Sequence, residues 1–202
     1  MNDTLKPRKA GLARGPQLDP TLPEIHRFVT GHDSAGRAVA VIKDVPDWTH
    51  YANRSRAYNV LYTTQEFPVE LSNDKDITDH QEIMKSENLG LVVPGGTVLR
   101  VVDFAPNGPA AMHRTQSLDY GIVLEGEVIM QLDSGEQHYL KRGDVAVQRA
   151  TLHAWKNPSK SQWCRMAFVL TDAVAPVVNG KEMKEELGTG LNFLPPSSGS
   201  IN

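Results

Sequence analysis

The sequence predicts an all-β domain, a sandwich or barrel of short antiparallel strands. Two observations predict it. From Leu91 onward, runs of β-branched and apolar residues recur at nearly regular spacing, and glycine-bearing turns separate them. The chain is also long enough, at 202 residues with 40% hydrophobic and 22% charged, to bury one sizeable core.

The elements follow in order. Residues 1–23 are proline-rich, polar and aperiodic, and read as a flexible N-terminal arm able to pair or dock across a dimer. Residues 25–30 and 37–43 flank the turn-rich GHDSAG and read as a hairpin. Residues 58–64 (YNVLYTT) make another strand. Residues 74–88 are polar, with Ile77, Ile83 and Met84 near helical spacing, and read as a loop carrying a short helix. Strands then follow at 97–104 (TVLRVVDF), 118–124, 127–132, 137–140, 145–148 and 162–171. Glu125-Gly126, Asp133-Ser134-Gly135 and KRGD at 141–144 supply the turns. The domain thus spans residues 24–175. The extension 176–202 is expected to hold a short helix over 180–187, with its KEMKEE run as a solvated face, and then a mobile PPSSGSIN tail.

Composition excludes several function classes. Lys plus Arg is 21 against 24 for Asp plus Glu, a formal charge of -3, so no basic face for nucleic acid is expected. The single cysteine, Cys164, rules out an internal disulfide and a multi-cysteine zinc site, and reads as a buried small hydrophobe. No stretch approaches the roughly 20 apolar residues of a membrane span. The N-terminus is basic but has no apolar core of a secretory signal, so no membrane partner and a cytoplasmic location are expected.

Residues 108–157 carry the chemistry. His113 and Thr115 are two apart and share a face if extended, and Asp119 opens the next apolar strand. His153 follows a glycine turn and a short strand, where a returning chain can place it opposite. Two imidazoles and one carboxylate converging inside a barrel form a candidate divalent-metal site with open positions for water or substrate. The same three groups can also move protons without a metal, since imidazole titrates near neutral pH.

GPAAMHRTQSLDYGIVLEGEV and GDVAVQRATLHAWKN resemble the two motifs of the cupin family. The first, G-x5-H-x-H-x3,4-E-x6-G, lines up on Gly108, His113, Thr115, Asp119 and Gly126, with Gly108 one residue too close to His113. The second, G-x5-P-x-G-x2-H-x3-N, lines up on Gly143, His153 and Asn157. The loop before His153 is one residue short, and Arg149 and Thr151 replace Pro and Gly. The resemblance implies a single jelly-roll (cupin) β-barrel. Cupin ligands are three His and one Glu; here Thr115 replaces the second His and Asp119 the Glu. The ligand set implied is therefore His113, Asp119 and His153, for Fe, Mn, Ni or Zn, with a metal-free site as the alternative.

The HRTxSLDYG and QRxTxHAW variants are similar to small cupin-2 proteins of fungal polyketide clusters. That resemblance implies a lyase, a decarboxylase or dehydratase, acting on a polyketide-type aromatic or β-keto acid, with a small-molecule substrate and a homodimeric state. An Fe(II)-dependent dioxygenase and a non-catalytic binding module stay open as alternatives. The expected catalytic residues are His113, Asp119 and His153. Thr115, Tyr120, Arg149 and Trp155 are expected to line the substrate pocket, Arg149 as a bidentate partner for a carboxylate. Tyr58 and Tyr62 are further aromatic candidates, equally suited to core packing. His26, His32, His50, His80 and His138 have no partner at ligand spacing and read as structural or exposed.

Overall fold

The computed structural model of the chain describes residues 12–51, 53–86, 88–191 and 194–197. Strands β1 (Leu12–Gly15), β2 (Arg27–His32), β3 (Ala38–Asp44), β4 (Trp48–Tyr51) and β5 (Arg56–Thr64) lead into helix α1 (Lys75–Lys85). Strands β6 (Thr97–Phe104), β7 (Ser117–Glu125), β8 (Glu127–Leu132), β9 (Gln137–Lys141), β10 (Val145–Arg149), β11 (His153–Lys156) and β12 (Cys164–Asp172) follow. A small hairpin of β13 (Val177–Val178) and β14 (Lys181–Glu182) and the short helix α2 (Gly188–Leu191) complete the described elements.

Seven strands form one sheet in the order β1-β4-β5-β6-β12-β7-β10, and three form a second in the order β11-β8-β9. β12, the last long strand, inserts between β6 and β7, the crossed connectivity of a jelly roll. Val98, Val123, Val128, Leu140, Trp155, Met166 and Phe168 of the two sheets share one core. Alternation along β6 shows how the sequence sets the layers. Val98, Arg100, Val102 and Phe104 face between the sheets, while Val101 packs into a second cluster on the outer face with Trp48 and Ala57.

Gly126, the residue that ends the first motif, makes the β7–β8 turn at φ +74. A Cβ there would stand 2.8 Å from the Trp163 carbonyl oxygen, so both the conformation and the space require glycine.

Helix α1 is tied to the sheet by His80, which is 3% exposed. Arg27 donates from Nη1 toward His80 Nε2 (3.2 Å), so Nδ1 carries the ring proton and donates to Thr63 Oγ1 at 3.0 Å. Burial pushes the imidazole down to about 4, which keeps it neutral.

Three parts of the extensions differ from expectation. Residues 12–15 of the expected arm form an edge strand paired with β4 of the same chain, from Leu12 opposite Tyr51 to Gly15 opposite Trp48. The segment behind β1 is held by Arg165, which donates to Gln17 Oε1 at 2.9 Å and to the Pro23 carbonyl. Backbone pairing and one buried guanidinium order a stretch that composition alone marks as loose; residues 1–11 lie outside the described residues. Residues 180–187 form no helix. Asn179 and Gly180 take positive φ, 50 and 77, and turn the chain back as the β13–β14 hairpin. The expected mobile tail is anchored as far as Ser197, whose Oγ donates to Glu185 Oε1 at 2.7 Å and accepts from the Val92 amide at 3.1 Å. Residues 198–202 lie outside the described residues. No helix among the described residues is long and apolar enough to cross a membrane.

Candidate functional site

His113 and His153 meet through the backbone. They pair as an antiparallel bridge, each amide donating to the other's carbonyl at 2.9 Å. Residues opposed in this way project their side chains to the same face, and the two rings lie 4.5 Å apart between centroids at an angle of 47°. Each Nδ1 is within bonding distance of a local carbonyl, His113 of Ala111 (3.0 Å) and His153 of Thr151 (2.9 Å). A carbonyl only accepts, so Nδ1 carries the proton in both rings. Each Nε2 then presents a lone pair and has no hydrogen-bond partner among the described residues.

Asp119 reaches the same cavity from β7. Ser117, Asp119, Gly121 and Val123 are buried there, while Leu118, Tyr120 and Ile122 alternate outward. Thr115 Oγ1 donates to Asp119 Oδ2 at 3.1 Å, and Ser117 Oγ donates to Oδ1 at 2.5 Å. The carboxylate is thus oriented by hydroxyls, and the imidazoles by main-chain carbonyls; no hydrogen bond joins Asp119 to either histidine.

Burial dominates the electrostatics. It pushes the Asp119 carboxyl up to about 6, against the lowering effect of the Ser117 and Thr115 hydrogen bonds and of Arg100. It pushes His113 down to about 3, helped by the neighbouring His153, and it also lowers His153. At neutral pH both rings are uncharged, and Asp119, whose midpoint lies at about pH 6, is mostly ionised.

These groups line a cavity of about 70 Å3 with Tyr58, Arg100, Trp155, Phe168, Leu191 and Leu194 on its walls. A larger cavity of about 750 Å3 lies between α1, the β2–β3 hairpin and β4. It shares only Tyr58, Arg100 and Leu194 with the first among residues central to the site, and it contains none of His113, Asp119 and His153. The chemistry therefore belongs to the smaller cavity.

Of the sequence-predicted residues, the cavity gathers His113, Thr115, Asp119, His153 and Trp155. Thr115 is a hydroxyl donor to Asp119. Trp155 packs between His153 and Phe168, with centroids at 5.6 and 5.7 Å. Tyr120 and Arg149 are corrections. Tyr120 is 42% exposed on the outer face of β7, because its neighbour Asp119 faces inward. Arg149 is exposed on β10, because Gln148 takes the inward position opposite Asp119. Tyr62 stacks on His80 (4.7 Å) and donates to Asp76 Oδ2 at 2.6 Å, away from the cavity. Sequence reasoning missed Arg56 and Arg100. The available signal was an Arg at the centre of TVLRVVDF, otherwise an apolar strand.

The donor set does not fit a three-ligand metal centre. Thr115 stands at the second-histidine position and turns its hydroxyl proton toward Asp119, so it offers no imidazole or anionic donor there. Among the described residues no group of three or more His, Cys, Asp or Glu is arranged as metal donors. The expected Fe, Mn, Ni or Zn chemistry is therefore not carried into a reaction step.

Comparison with known proteins gives the following. The cupin-domain family model (Cupin_2) matches residues 100–170. The phomopsin biosynthesis cluster protein D of Diaporthe leptostromiformis is 42% identical over 88% of this chain and 94% of its own length. The oryzines biosynthesis cluster protein J of Aspergillus oryzae is 38% identical over 82% of this chain and 93% of its own. The cupin-domain-containing oxidoreductase fogC of Aspergillus ruber is 43% identical over 83% of this chain and 82% of its own.

Proposed function

The chain belongs to the cupin family, and on that premise we propose that it is a small-molecule lyase of secondary metabolism. The substrate class is a polyketide-type aromatic or β-keto acid, and the reaction is loss of water or of CO2 through an enol or enolate. One observation carries the reading: Asp119 and two open imidazole nitrogens converge on a single cavity with apolar walls. The relatives' names, which place them in fungal biosynthetic clusters, support the metabolic setting.

In the proposed mechanism Asp119 moves the proton. For loss of water its ionised form takes the hydrogen from the carbon beside the carbonyl; for loss of CO2 the C–C bond breaks to leave an enolate, and the protonated form of Asp119, a carboxyl poised at about 6, delivers its proton to that α-carbon. In a dehydration Asp119 then gives the proton it took to the departing hydroxyl, which leaves as water. Neutral His113 and His153 accept hydrogen bonds at Nε2 from the substrate's hydroxyl or enol and fix its orientation. Thr115 and Ser117 hold the carboxylate in place.

The test is deuterium uptake. In D2O, β-keto acid esters should gain deuterium at the α-carbon in the presence of the protein, and Asp119→Asn should slow this by about 100-fold or more. No uptake above the uncatalysed rate would remove the lyase reading and leave a binding module. The name of the fogC relative favours a second reading, an oxidoreductase. Oxygen consumption, or reduction of a hydride acceptor, coupled to substrate loss would establish it instead.

A further inference from the structure

Arg56 and Arg100 share the cavity with the acid–base groups, and among the described residues neither has a carboxylate within ion-pair distance; Asp119 acts on Arg100 only from farther off. They are 7% and 5% exposed. Arg56 donates from Nη2 to the Pro109 carbonyl at 2.6 Å and lies over the Tyr51 and Phe104 rings at 5.8 and 5.6 Å. Arg100 donates from Nη2 to the carbonyls of Gly90 (3.1 Å) and Leu91 (3.0 Å) and lies over Tyr58 at 5.8 Å. Its Nε is buried and donates to nothing. The arginine ion pairs among the described residues are those of Arg27, Arg37, Arg114, Arg142 and Arg165.

Arg165 shows what this fold does with a buried guanidinium that needs no ligand. It is 1% exposed and donates from Nε and Nη2 to the two oxygens of Asp103, both at 2.7 Å. The cavity arginines have no such partner. Asp119 is the one acid on the cavity wall among the described residues, and its oxygens already accept from Ser117 and Thr115. A buried charge left unpaired is strongly unfavourable, and a planar guanidinium fork matches a carboxylate.

We propose that Arg56 and Arg100 bind the carboxylate of an aromatic or other planar acid, with its ring against Tyr58, Phe104 and Trp155. The inference rests on the reading of this cavity as the substrate site, and it moves the anion-binding role from Arg149 to two residues on adjacent strands of the inner face. Arg56 opposes Phe104 and Arg100 opposes Val60 across the β5–β6 ladder, so the two guanidinium groups reach the cavity from one wall.

The test uses benzoate and its neutral isostere benzamide, titrated calorimetrically into the full chain. The wild type should bind benzoate at least about 10-fold more tightly than benzamide, the worth of one charge-assisted pair. Arg100→Gln and Arg56→Gln should each cut that preference by about 3-fold or more, read as the ratio of the two affinities in the same variant. Equal affinity of the wild type for the two probes, binding of neither included, overturns the proposal, and so does a full preference in Arg100→Gln. If either variant fails to fold, the wild-type comparison decides alone. Deuterium uptake is read separately: its absence beside an intact benzoate preference removes the lyase reading and supports the anion site.

Discussion

His113 and His153 exchange both main-chain hydrogen bonds at 2.9 Å, and that one bridge holds their rings 4.5 Å apart in the wall of the cavity. The two come from segments separated by four strands. Their proximity is set by backbone pairing rather than by any side-chain contact, so it survives substitution of either ring.

This makes the imidazoles separable from their placement. His113→Gln and His153→Gln should each fold with near wild-type thermal stability at neutral pH and lose about 10-fold or more in deuterium uptake. Because no three donors gather as a metal site among the described residues, prolonged dialysis against a chelator should leave uptake unchanged. Activity that disappears on chelation and returns with one divalent ion would reverse the assignment.

Asp119 gives a pH signature. Its carboxyl, raised from 3.8 to about 6, binds its proton more tightly in the folded chain. The stability it lends is complete below about 3.8 and is lost as pH rises through about 6, roughly 3 kcal/mol in all. Asp119→Asn keeps the neutral form at every pH. The melting temperature of the variant should therefore gain on that of the wild type between pH 5 and pH 7.5, and a constant difference across that window would sink the assignment. Uptake by the wild type should rise through about pH 6 and level off.

The histidines act in the opposite sense. His113, pushed down to about 3, and His153, also lowered, lend stability that is present above 6.5 and lost as pH falls through their folded values. Acid unfolding should accordingly shift to lower pH in His113→Gln, followed by circular dichroism.

Asp103→Asn should cost about 3–5 kcal/mol in urea unfolding, because it leaves Arg165 buried with a charge and no carboxylate. A loss below about 1 kcal/mol would mean that Gln17 and the Pro23 carbonyl suffice.

The proposed clamp opposes one of the two lyase reactions. A carboxylate paired with arginine is stabilised, and expelling it as CO2 returns both guanidinium groups to an unpaired state. Water loss from 3-hydroxy-3-phenylpropanoate, which keeps the carboxylate, should therefore be accelerated more than CO2 loss from benzoylacetate. Product ratios by chromatography check this.

Much of the architecture is legible in the sequence because half-buried strands alternate. TVLRVVDF coincides with β6, and the segments near 118–124, 127–132 and 137–140 fall within β7, β8 and β9. What the sequence does not reveal follows from the same alternation applied too loosely. With Asp119 facing in, Tyr120 must face out, and Gln148 opposite Asp119 sends Arg149 outward. Arg100 escaped notice because an arginine is ordinarily read as solvated, although every second residue around it is core. Asn179-Gly180 is a hairpin signal overridden by the helix-forming composition of the residues after it. β1 has no local signal, since its register depends on β4 and on Arg165 across the sheet.

Leu191 and Leu194 form part of the cavity wall, and the Ser197 hydroxyl and amide both engage Glu185 just beyond them. Leu191 and Leu194 are thus built into the wall of the site, and Ser197 fastens the segment that carries them. A protease nick between Leu191 and Ser197 would flood the site with solvent without cutting a single strand of the main sheet.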